Sequence, residues 1–163
     1  MQTDNLLMTK FKLSFLTIIF IFTCLTGFSQ TTKTIDSLES QYQACLDKGE
    51  FMLGCSETFY FQMDSLLNVQ YKKLRSKFDS IQKENLKDEQ LQWLSKRDKQ
   101  FKENQKQVHK EAKEKGYDGG EIETMILIDK NAMFVVKRVI ELINSTFENY
   151  SEHIYKGKYS KPK

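Results

Sequence analysis

DSLLNVQY at Asp64–Tyr71 and LKDEQLQWLSKRD at Leu86–Asp98 decide how this chain folds. Asp64, Leu67, Asn68 and Tyr71 in the first string, and Leu86, Gln90, Trp93, Arg97 and Asp98 in the second, recur at separations of three, four and seven, apart from adjacent pairs. Each string therefore lies along one side of an α-helix. Each stripe mixes apolar with polar members, as a surface that meets another stripe would.

The surrounding composition is that of a helical protein. The chain of 163 residues has one proline, Pro162, and seven glycines, while Lys, Glu, Gln and Leu dominate its middle. Ile35, Leu38, Tyr42, Cys45 and Leu46 define a first helix ending near Lys48-Gly49, where glycine supplies a left-handed cap. A second is expected from about Ser56, with Tyr60, Met63, Leu67, Tyr71, Leu74, Phe78 and Ile81 on one face. Glu84-Asn85 reads as the break before a third, which presents Leu86, Trp93, Leu94, Phe101, Val108 and Ala112. The polar stretch 102–115 is expected to project along the surface or to contact another molecule. Asp118 as cap with Glu121 three residues on predicts a fourth helix. Its stripe is Ile122, Met125, Ile126, Asp129, Met133, Val136, Ile140, Ile143 and Phe147, the expected core. No strand-like alternation, repeat or linker interrupts this pattern. The expected fold class is all-α, a small bundle of about four helices.

Lys10 and Lys12 precede an apolar run, Leu13–Leu25, and Thr26–Ser29 offers a cleavage site. Residues 1–29 read as a secretory signal peptide, 30–155 as the helical domain and 156–163 as a basic flexible tail. Met8 serves equally well as a start. Cys24 follows Phe22 and Thr23 rather than the small residue that precedes a lipidated cysteine, so lipid anchoring is not expected. No later segment reaches the roughly 20 apolar residues of a spanning helix. The expectation is an exported protein, periplasmic or extracellular, with no stable membrane insertion after signal cleavage.

Charge selects no partner: 25 basic against 22 acidic residues give +3, and losing Lys10, Lys12 and Asp4 with the signal lowers this by one. Along the sequence lysines alternate with acids instead of clustering with aromatics, which argues against nucleic acid. After cleavage Cys45 and Cys55 remain, an even pair most simply read as a disulfide, with two free buried thiols as the alternative. The loop-closure model gives such a bridge roughly 2.5 to 3 kcal/mol. His109 and His153 lack ligand-like spacing, so neither metal nor cofactor is expected. No nucleophile elbow, Ser-His-Asp string or phosphate loop suggests catalysis, and an Asp64–Asp98 acid–base pair would have no pocket. If the second and third helices fold back about Asn85, Asp64 or Asn68 could bond Arg97, with Tyr71 and Gln90 as further members. Counting from Asn85 nevertheless puts Arg97 nearer Phe78 or Leu74. Trp93 reads as a core anchor.

At these residues the chain resembles the bacterial secreted proteins with a lysozyme-inhibitor LprI-like N-terminal domain. The family pattern is a cysteine pair, then D-x-x-L-N-x-x-Y, then L-x-x-x-Q-x-x-W-x-x-x-R-D. Here it falls on Cys45, Cys55, Asp64, Leu67, Asn68, Tyr71, Leu86, Gln90, Trp93, Arg97 and Asp98, with a weaker echo at Arg138 and Leu142. Members often carry two further cysteines; Phe101 stands at one of those positions and residues 122–147 contain none. Their joint loss is what the resemblance predicts if they pair with each other, leaving Cys45 to bond Cys55. The resemblance implies an exported, non-enzymatic helical protein whose partner is a protein, a lysozyme that is inhibited in some members; one way such inhibition could work is steric occlusion, with a turn such as 48–53, held by the bridge, or 117–120 entering the lysozyme cleft. A cell-envelope structural or adaptor protein without inhibitory activity is the competing class.

Overall fold

A computed structural model describes residues 29–117 and 119–145. The expected signal peptide up to residue 28 with Cys24, the residues Asp118 and Phe147, and the basic tail lie outside the described residues. Those described form four α-helices and no strand: α1 (Ser29–Leu46), α2 (Met52–Ser76), α3 (Ser80–Lys115) and α4 (Glu121–Asn144). Contacts divide the chain into two units between Ser37 and Leu38. The first holds the opening turns of α1; the second holds the rest of α1 and the other three helices.

The second unit opens with a covalent corner. α1 stops at Leu46 and Gly49 takes φ 70°, the expected left-handed position. Cys45 and Cys55 form a disulfide, their Cα atoms 5.9 Å apart. α2 begins at Met52, four residues before the expected Ser56, because Ser56 is not a cap: it is fully buried and bonds Tyr42.

The break between α2 and α3 lies at residues 77–79, not at Asn85, which stays inside α3. Asp79 and Gln82 form a reciprocal capping box: Asp79 Oδ1 accepts from the Gln82 N–H at 2.8 Å, and Gln82 Oε1 accepts from the Asp79 N–H at 3.0 Å. Two of the new helix's orphan donors are thus satisfied there, whereas a start at Asn85 would leave this pair unused. Phe78 is buried at the corner and Ile81, expected on the apolar face, is exposed. The earlier break also repairs the register, since Tyr60 is 18 residues before Phe78 and Arg97 is 19 after it.

α3 ends at Gly116 (φ 76°), where the N–H groups of Gly116 and Tyr117 both reach the Ala112 carbonyl. α4 is capped by Gly120 instead of Asp118. It is the core element and packs most extensively against α2, then against α3. Its buried face is Ala132, Val135, Val136, Val139 and Leu142; Ile122, Met133 and Ile140 of the expected core stripe are 50%, 47% and 40% exposed. The apolar residues of α4 cover an arc wider than the expected stripe, and within it the narrow residues face inward where backbones approach closely.

The buried apolar residues are Phe59, Met63, Leu67 and Leu74 on α2, and Leu86 and Trp93 on the first half of α3. The polar stretch of α3 does not project freely: Asn104, Val108 and Ala112, four apart, are buried. Asn104 donates its amide to Asn131 Oδ1 at 2.9 Å and accepts from Gln100 at 2.9 Å. That pair fixes one register of α3 against α4, because any slip would strand a buried amide.

Candidate functional site

The helices that carry the two strings meet through aromatic rings just outside them, with Phe134 of α4 between. Tyr60 lies 6.3 Å from Phe101, Phe101 lies edge-on to Phe134 at 6.3 Å, and Phe134 stacks on Trp93 at 5.8 Å. Arg97 covers this ladder, its guanidinium 5.9 Å from the Trp93 ring and 5.8 Å from Phe101. It bonds its neighbour Asp98 at 2.8 and 3.0 Å, not Asp64 or Asn68. Asn68 instead turns back onto Asp64, donating to its backbone oxygen at 2.9 Å and to its carboxylate at 3.4 Å. Asp64 and Arg97 still share a neighbourhood. Burial raises the Tyr60 pKa first, the Asp64 and Asp98 charges add to the rise, and Arg97 opposes it. Tyr71 is half-buried on α2, away from any bond to Arg97.

Gln90 is engaged from the other side. Arg138, 5% exposed, donates from Nε and Nη2 to Gln90 Oε1 at 3.2 and 3.1 Å, and from Nη1 to Glu89 and Glu141 at 2.7 and 3.0 Å. Its guanidinium also lies 5.9 Å from Trp93. In the sequence Arg138 is only an echo of the family pattern; a lone arginine among Val135, Val136, Val139 and Leu142 is the available signal. Glu89 and Glu141 were missed altogether. A second unread cluster is Tyr42, which donates to Asp129 Oδ1 at 2.7 Å, accepts from Ser56 at 3.1 Å and stacks on Phe59 at 4.6 Å. The phenol's single proton goes to Asp129, so Ser56 must be the other donor. Burial is the main reason that the Tyr42 pKa is raised.

The disulfide corner places one side chain in an unusual position. Phe51 is 89% exposed, and its backbone is left-handed (φ 50°, ψ 34°), the one positive φ among the described non-glycine residues. Met52 beside it is also exposed. The Phe51 carbonyl accepts from the Cys55 N–H at 3.1 Å, so the strained residue is tied directly to the bridge.

At the other corner Glu123 accepts from the Gly119 N–H at 2.6 Å and meets His109 Nδ1 at 3.1 Å. The Gly119 N–H holds the Glu123 carboxyl below its ordinary range, desolvation opposes this, and His109 adds to the lowering. A depressed carboxylate pKa contributes stability that is present above the ordinary glutamate value and is lost as pH falls through the depressed one. The Gly119 amide resonance is expected to titrate with a midpoint below that of free glutamate, and Glu123→Gln is expected to erase the inflection. A midpoint at or above the ordinary value would refute the assignment.

Among the described residues no group of His, Cys, Asp or Glu is arranged to hold a metal ion, and no helix is long and apolar enough to cross a membrane. The family whose model matches the chain is described as lysozyme inhibitor LprI, and residues 36–142 are matched, well over half of the chain. No curated protein and no solved structure matches.

Proposed function

We propose, from the premise that this chain belongs to the lysozyme inhibitor LprI family, that it is an exported protein which binds a lysozyme and blocks its substrate cleft sterically. The observation that carries this reading is Phe51. A left-handed conformation costs a bulky residue about 1–3 kcal/mol, and such positions cluster where a ligand or partner is held. An aromatic ring presented to solvent on a cross-linked turn is pre-organised, so little further ordering is lost on binding. Asp47 and Glu50 flank it against the single Lys48, which suits a basic partner.

The other turn able to enter a cleft, 117–120, contains Asp118, which lies outside the described residues, and Gly119, which is tied to Glu123. The motif residues around Trp93 hold the bundle's shape in this reading and perform no chemistry. A cell-wall lysis assay with several lysozyme types tests it. Folded, oxidised protein at micromolar excess is expected to slow lysis. Phe51→Ala is expected to weaken inhibition at least tenfold, equivalent to about 1.4 kcal/mol, without loss of helical signal. Absence of inhibition by the unaltered protein would leave the envelope adaptor reading in its place.

A further inference from the structure

The lysines that alternate with acids along the sequence are re-sorted by the helix. At about 100° per residue, Lys96, Lys99, Lys102, Lys106, Lys110 and Lys113 all fall within about 60° of one line down α3. All six are exposed. The row is about 26 Å long. Of the acids in this span Glu111 turns to Lys130, while Glu103 and Glu114 lie on the lysine face and pair with Lys106 and Lys110. Lys96, Lys99, Lys102 and Lys113 have no anionic partner among the described residues. Like charges one turn apart repel, so this face is unfavourable for the helix itself.

The same face borders a groove of about 570 Å³ lined by Lys99, Lys102, Lys106 and His109, with Glu103, Gln105 and Glu123. Its two carboxylates are already engaged, Glu103 by Lys106 and Glu123 by Gly119 and His109. The groove therefore offers its unpaired ammonium groups to an external anion. We infer that the outer face of α3 docks a linear polymer that carries phosphate along its backbone. Lysine binds phosphate as a hydrated point charge without the fixed bidentate geometry of arginine, so a row of lysines suits a polymer whose charges repeat along its length. The single aromatic within its span, Phe101, is turned inward onto Phe134 and Tyr60, so bases would have nothing to stack on. No large apolar residue within the span is exposed to enter a bilayer. Release of counterions from the polymer drives the association, which makes it steeply dependent on salt.

Fluorescence anisotropy of the full chain with labelled inorganic polyphosphate tests the inference without involving a lysozyme. Binding is expected at about 50 mM salt and should weaken at least tenfold by about 200 mM. The triple variant K96Q/K99Q/K102Q is expected to lose at least tenfold in affinity at the lower salt and to show a flatter salt dependence. The corresponding triple Lys→Arg variant should retain binding, as should K72Q/K73Q/K77Q, which removes the same charge from α2. No binding at low salt, or equal loss in the α2 control, would overturn the inference. So would tighter binding to phosphatidylglycerol vesicles or to single-stranded DNA with the same number of phosphates.

Discussion

Replacing Cys45 and Cys55 by serine is expected to lower the stability of the bundle by about 2.5–3 kcal/mol, read as a fall of a molar unit or more in the urea midpoint. The bridge closes a ten-residue separation, and its loss returns that loop's freedom to the unfolded chain. The folded corner should survive, because Tyr42 independently joins α1 to Ser56 and Phe59 on α2 and to Asp129 on α4. Helical content in the absence of denaturant should thus be nearly unchanged. The turn is affected differently: without the bridge, Phe51 is free to leave its left-handed conformation and gain the energy that this conformation costs. Inhibition of lysis should be lost while the fold remains. A midpoint shift near zero would show that the corner is held by Tyr42 alone, and retained inhibition in the serine variant would remove the turn from the binding surface.

Helix number, order and disulfide were readable in the sequence because they depend on local chemistry: composition, a glycine cap at Gly49 and an even cysteine pair. Boundaries were read less well. Asn85 looked like a cap, but Asp79 with Gln82 forms a reciprocal pair and takes the cap six residues earlier. That error alone displaced Arg97 from Tyr60. The face of α4 was misread for another reason. Its hydrophobic residues cover an arc wider than one stripe, and close packing on α2 selected Ala132, Val135 and Val139 over the larger Met133 and Ile140. Asn104, Asn131 and Ser56 resemble surface residues until their partners, up to 27 positions away, are known. The lysine row was present in the sequence but hidden by reading charge along the chain instead of around the helix.

Arg138→Ala is expected to destabilise the protein by about 2–3 kcal/mol, whereas Arg97→Ala should cost under about 1 kcal/mol, although Arg97 belongs to the recurring string and Arg138 only to its echo. Arg138 is nearly enclosed, and its loss leaves the Gln90 oxygen without its donors and a void beside Trp93. The penalty stays below that of a stranded buried ion, because the side chains of Glu89 and Glu141 are 45% and 59% exposed and water can take over. Arg97 pairs with an Asp98 whose side chain is 61% exposed, so its removal mainly uncovers the faces of Trp93 and Phe101. Arg138→Met restores volume but no donors and should fall between the two. Asp64→Ala combined with Arg97→Ala should be additive, since no bond joins them. Urea denaturation of the set measures all four. If Arg97→Ala proves as costly as Arg138→Ala, the guanidinium on the ladder, not the one beneath it, anchors α3 to the bundle.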